Sequence, residues 1–155
     1  MQMAVVEFCR NVLGWKNAAT EECHEEIGIP EPIGVVKFMP EIDSTKLGGT
    51  LRLGAKAVVI DDKESLAYKL YCTNYTKERH RHRYEINNEL VDDMIKKGLI
   101  FSGVDEKRER MEFLEIRDHP FFFASQAHTE LKSSIFRGSP PYLAFVLACA
   151  GRLKQ

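Results

Sequence analysis

No apolar run in this sequence approaches the ~20 residues that a membrane-crossing helix needs; the longest, Tyr142 to Ala150, stops far short. Neither sign of charge is in excess. With 22 basic and 23 acidic residues and a net charge of −1, no global field draws the chain to nucleic acid or to an anionic membrane, and either partner would need a local patch. Cysteine is sparse: Cys9, Cys23, Cys72 and Cys149 stand apart, with no Cys-x-x-Cys pair and no metal-ligand spacing, so they read as reduced, mostly buried thiols. The first residues are broken by Glu7 and Arg10 and do not form a signal peptide. Repeats, low-complexity tracts and internal domain boundaries are lacking too. Together these point to an intracellular, cytoplasmic protein of one domain.

What is present is enough apolar material for a core: 155 residues, 44% of them hydrophobic, the size of a single domain. Residues 3–13 place Val5, Phe8, Cys9, Val12 and Leu13 at helical spacing, with Gly14 positioned to end the helix. A helix that opens at once, without a cap, suggests a truncated chain. Cys9 lies on its apolar side and reads as packing. Residues 17–32 are polar and punctuated by Gly28, Pro30 and Pro32, a surface loop. A strand over Ile33 to Met39 follows. Leu47 to Gly54 then carries three glycines around Arg52, either a hairpin-like turn or a ligand loop.

Ala57 to Ile60 reads as a short strand, and Asp61 or Asp62 can cap a helix bearing Leu66 and Leu70. In Glu78 to Asn87, alternation along a strand puts His80 and His82 on one face and Arg79, Arg81 and Arg83 on the other. The arginine row suits an anion or carboxylate, with a solvated edge strand and a nucleic-acid patch as the competing readings. The two histidines lack a third metal ligand nearby in sequence, so no metal is expected. Residues 88–97 form a helix ended by Gly98; 99–103 and 111–116 form strands, and Tyr142 to Leu153 a last, mostly buried helix. Alternating helices and short strands indicate an α/β layered domain.

The stretch Asp118 to Glu130 is the most informative. A Phe-rich buried strand over its first part delivers His128, and Glu130 follows two residues later, a base and a carboxylate able to hold that base in one tautomer. Alone, the pair reads first as a loop histidine beside a surface glutamate.

Several motifs taken together resemble one family, the class I glutamine amidotransferase domain at the C-terminal end of CTP synthases. They are Met1 to Phe8, Leu47 to Gly54, Glu78 to Asn87, Arg110-Met111-Glu112, and His119-Pro120-Phe121-Phe122 leading to Gln126 to Glu130, which span the chain in family order. The resemblance implies a partial glutaminase domain over residues 1–155, with a central, mostly parallel sheet whose first strands are missing. Met1 and Gln2 coincide with the end of the family's Cys-Leu-Gly-Met-Gln elbow, so the nucleophilic cysteine would lie just upstream of Met1. His128 would be the general base and Glu130 its partner. Met1, Gln2, Glu22 and Arg83 would bind glutamine, with Glu21 competing for the role of Glu22.

Two departures stand out. Cys23 occupies a position usually held by Phe, and Thr129 replaces the proline of His-Pro-Glu. By the same resemblance, the whole enzyme would pass ammonia to a synthetase domain that makes CTP, with ATP, UTP, GTP and magnesium bound in that other part or at its junction with this one, as a homotetramer. The isolated chain would be inactive, and the alternative is a non-catalytic fragment or pseudo-enzyme acting by binding or assembly.

Overall fold

The computed structural model describes residues 1–23, 26, 28–39 and 51–153. In chain order it runs α1 (Gln2–Asn11), β1 (Ala18–Thr20), β2 (Ile33–Phe38), β3 (Arg52–Val59), α2 (Leu66–Tyr71), β4 (Tyr75–His82), β5 (Tyr84–Ile86), α3 (Val91–Lys96), β6 (Ile100–Val104), β7 (Met111–Glu115), β8 (Phe123–Ser125) and α4 (Pro140–Cys149). Short 3-10 turns occupy Asn88–Leu90 and Thr129–Lys132.

The α1 helix buries Val5, Val6, Phe8 and Cys9 as one stripe; of the expected positions Val12 is exposed and Leu13 only partly buried, because the helix ends at Asn11, and Gly14 beyond it takes φ 76°, a conformation that costs an L side chain dearly and glycine little. That stripe packs with Val35, Val36 and Ile86 of a three-stranded sheet ordered β1-β2-β5. Burial raises the Cys9 thiol to about 11, in keeping with a packing role. A second sheet, ordered β4-β3-β6-β7-β8, carries a smaller core of Val58, Ile60, Ala67 and Phe113. The layered α/β class is as expected. Parallel pairing among the described residues is confined to β1 with β2, and the other pairings are antiparallel.

The β3–β4 ladder is long, from Arg52↔His82 to Val59↔Tyr75, whereas β3 meets β6 at Val59↔Val104 alone. Away from that point the β3–β4 pair is free to swing off the β6–β7 plane. Its far end is caught by the segment after β8, where His128 N–H donates to the Arg79 carbonyl at 2.8 Å. The space so enclosed holds Arg52, His80 and Glu112.

Several local expectations are corrected. The 17–32 loop contains β1, whose residues are all buried, because a strand this short leaves no alternation to read. Strand β3 begins at Arg52 rather than Ala57, running through Gly54 at φ 87°; Leu47 to Thr50 lie outside the described residues. Ser65, not Asp61 or Asp62, caps α2, its side chain accepting from Tyr68 N at 3.1 Å, while Asp62 takes the Glu64 N–H one step earlier. The 118–130 strand is the edge strand β8, half-buried rather than buried. In α4 only Ala144 is buried, and Tyr142, Leu143, Phe145 and Val146 are exposed. That helix is apolar all round, so its pattern contains no polar face to mark which side packs. No helix among the described residues is long and apolar enough to cross a membrane.

At Gly103 the β6 backbone presses on the second core. A Cβ there would sit 2.5 Å from Phe113 Cδ2 and 2.9 Å from Val58 Cγ1, closer than packed carbons tolerate. Gly103→Ala should therefore cost about 1–3 kcal/mol, read as a lower midpoint in chemical denaturation. Gly138→Ala, which meets open space, should leave the midpoint nearly unchanged.

Candidate functional site

The chain bends at Arg83 between β4 and β5, and the bend presents the Tyr84 carbonyl to three side chains. Gln2 Nε2 donates to it at 2.8 Å, Gln126 Nε2 at 3.0 Å, and His82 Nδ1 lies at 2.9 Å. A carbonyl only accepts, so His82 carries its proton on Nδ1 and keeps its Nε2 lone pair. Helix α1, the β4–β5 bend and the segment after β8 are thus joined at one atom.

Around that atom opens a cavity of about 430 Å³ whose walls include Met1, Gln2, Glu22, Arg83 and His128, together with Leu51, His82, Tyr84 and Gln126. These are all of the expected site residues but one. The exception, Glu130, touches the site through His128: His128 Nδ1 and Glu130 Oε1 are 2.9 Å apart, each side chain about half exposed. At that exposure the pair adds little stability; its consequence is orientation, since Glu130 claims Nδ1 and leaves Nε2 for a reacting group. Burial alone would raise the Glu130 carboxyl, but hydrogen bonds from its own backbone and from His128 hold it below the usual carboxylate range, so it remains ionised beside the ring.

Backbone bonds aim this pair. Ser125 Oγ accepts from Ala127 N at 3.0 Å, Gln126 N–H donates to the Glu112 carbonyl at 2.9 Å, and His128 N–H reaches Arg79. His128 then sits at φ −86°, ψ 80°, ahead of the 3-10 turn. Thr129, buried at the first position of that turn, makes no hydrogen bond through its N–H among the described residues.

The two neighbouring glutamates separate cleanly. Glu21 Oε2 accepts from Phe38 N at 2.7 Å, which commits it to the end of β2, while Glu22 lines the cavity. Arg83 is exposed and has no carboxylate partner among the described residues. On β4, Arg79 and Arg81 are exposed and His80 is buried, as the alternation indicated; Arg83 falls beyond the strand's end and so escapes the row. A carboxylate, a guanidinium and two imidazoles around one cavity suit a zwitterion.

Behind the cavity wall lies a buried polar cluster. Glu112 Oε1 accepts from Arg52 Nη2 at 2.7 Å, and Glu112 Oε2 lies 3.5 Å from His80 Nδ1. Burial pushes His80 down to about 3, helped by Arg52, and pushes Glu112 up to about 7 against the pull of Arg52. Sequence reading found no third group for His80 and His82, because Glu112 is distant in sequence and only the curl of the sheet brings it near. Gln126 and the Tyr84 carbonyl were missed as parts of the wall for a related reason: a backbone acceptor leaves no mark on residue type.

The family profile described as glutamine amidotransferase class-I matches residues 1–147. The chain belongs to the class I glutamine amidotransferases. Within that family it is similar to CTP synthases: 45% identical to CTP synthase 1-A of Xenopus laevis over all of this chain and 26% of that protein, and 43% identical to CTP synthase of Dictyostelium discoideum over all of this chain and 27% of that one. The amidotransferase chain thus spans about a quarter of the length of these relatives. Among solved structures it resembles the glutaminase domain of a Trypanosoma brucei CTPS with bound acivicin, at a TM-score of 0.88 and 36% identity, covering all of this chain and 59% of that one.

Two substitutions check this geometry. Glu21→Ala should lower stability by about 1 kcal/mol in denaturation, whereas Glu22→Ala should not. Thr129→Pro should raise stability by about 0.4–1 kcal/mol, because the first position of a turn tolerates proline and the non-helical ψ of His128 suits the residue before it. A fall in the midpoint of Thr129→Pro would mean that the turn is built differently.

Proposed function

We propose that this chain carries the glutamine-binding and general-base part of a glutaminase site. The observation that supports it is the His128–Glu130 pair at 2.9 Å beside a cavity that also holds Gln2, Glu22 and Arg83. In this reading Glu22 receives the α-ammonium of glutamine, Arg83 forks onto a carboxylate or carbonyl oxygen, and the Gln2 backbone N–H stands near the developing oxyanion. Through Nε2, His128 takes the proton of a thiol that attacks the side-chain amide, then returns it to the departing ammonia. A water activated by the same nitrogen cleaves the thioester and yields glutamate.

The thiol comes from outside this lining. None of the chain's cysteines is among the cavity residues: Cys9 is buried and Cys72 and Cys149 are exposed elsewhere. In this reading the nucleophile is the cysteine of the family's elbow, and these 155 residues by themselves bind glutamine without hydrolysing it. In the full-length enzyme the ammonia passes to a synthetase domain that converts UTP to CTP with ATP and magnesium, under GTP, in a cytoplasmic homotetramer. Binding or assembly without catalysis is the second reading, and the lack of a cysteine in the cavity favours it for this chain alone.

Assays on the isolated chain and on a longer chain that includes the elbow separate these readings. The isolated chain should release no ammonia from glutamine. In the longer chain, Arg83→Ala should raise the KM for glutamine about tenfold to a hundredfold, the effect of roughly 1.5–3 kcal/mol for a charged hydrogen bond, and should spare CTP formation from free ammonia. Equal loss of both reactions would remove the binding role from Arg83.

A further inference from the structure

We propose that His80, His82 and Glu112 form a binding site for a first-row divalent cation, Zn²⁺ in chemical class, set behind the wall of the glutamine cavity. The ligand atoms of the three residues lie within 4.8 Å of one another. His80 Nδ1 is 3.3 Å from His82 Nε2 and 3.5 Å from Glu112 Oε2. A tetrahedral ion with bonds of about 2.0–2.2 Å separates its ligand atoms by about 3.3–3.5 Å. Both spacings from His80 fall in that range, and the third side of the triangle, from His82 to Glu112, is within 4.8 Å, so a small turn of either side chain closes the set.

Hydrogen bonding alone leaves this cluster incomplete. A single proton on His80 Nδ1 would have to serve both the His82 lone pair and the Glu112 carboxylate, at two long distances. Glu112 is fully buried at 0% exposure, yet its Oε2 has no hydrogen-bond partner. An unpaired carboxylate oxygen in such a place is destabilising, because it has lost its water and gained nothing in return. A dication at the centre of the triangle replaces the shared proton and meets all three groups at once.

Two of the three residues, His82 and Glu112, have the outer hydrogen bonds of metal ligands, whereas His80 Nε2 has no partner among the described residues. Tyr84 O fixes His82 with Nδ1 protonated and Nε2 turned to His80, the outer hydrogen bond that metal-binding histidines characteristically make. Arg52 holds Glu112 Oε1 and so orients the carboxylate with Oε2 toward His80. Two imidazoles and one carboxylate select zinc-like ions over Mg²⁺ and Ca²⁺, which prefer all-oxygen shells. His82 also lines the cavity, which supplies a route for the ion and a water as fourth ligand. An ion here clips β4 to β7, strands that are separated by two others in the sheet order.

The test uses the full 155-residue chain, stripped with a chelator and titrated with ZnCl₂, with MgCl₂ as a separate arm. One equivalent of zinc should bind with a Kd below about 1 µM and raise the thermal midpoint, and Co²⁺ added to the stripped chain in its place should bind more weakly and show the visible absorption of a tetrahedral centre. His82→Ala and the near-isosteric Glu112→Gln should each weaken zinc binding roughly a hundredfold, with far-UV circular dichroism showing that both remain folded. His119→Ala, outside the cluster, should bind as the parent does. Absence of zinc binding, binding unchanged in His82→Ala, or a preference for magnesium would overturn the site. No glutamine enters these measurements, so their result is independent of the glutaminase reading.

Discussion

One carbonyl oxygen, that of Tyr84, organises the structure. Gln2 from the first helix, His82 from the end of β4 and Gln126 from the segment after β8 all meet it within 3.0 Å. A backbone acceptor has two lone pairs, so three neighbours leave it no capacity for water and define the inner face of the cavity. The elements it joins are those that carry Gln2, Arg83 and His128 to the cavity. Position in the site is thus inherited from the main chain at a bend rather than from any one catalytic residue.

The second constraint is the sparse junction of β3 with β6. A sheet paired along its whole length would stay open and leave β4 far from β7. Pairing at Val59↔Val104 alone lets the β3–β4 ladder curl, and the price of that curl is a polar interior containing Arg52, His80 and Glu112. The two apolar cores do not include these residues, one lying under α1 and one around Phe113. Stability and chemistry therefore occupy different compartments of one small domain.

Much of this was legible in the sequence. Helix α1, the stop at Gly14, the His and Arg faces of β4 and the pairing of His128 with Glu130 follow from local periodicity and from spacing of two residues, which secondary structure translates directly into distance. Glu22 over Glu21 was not legible, because the choice depends on the Phe38 N–H, a main-chain group on another strand. The exposure of α4 was hidden for a different reason: a helix apolar on every side carries no directional signal. Glu112 could not be placed beside His80 and His82 from spacing at all, since the approach depends on how far a sheet bends. What sequence conveys well is what one element does by itself; what it conveys poorly is decided between elements by backbone atoms.

The bond from His128 N–H to the Arg79 carbonyl has an evolutionary side. Both partners are main-chain atoms, so side-chain replacement at either position leaves the tether in place; only a proline at 128 would delete the donor. The stagger between the strand that leads to Arg83 and the loop that bears His128 can therefore persist while surrounding side chains drift. Loss of the imidazole itself would leave this part of the scaffold intact, because the tether runs through the main chain.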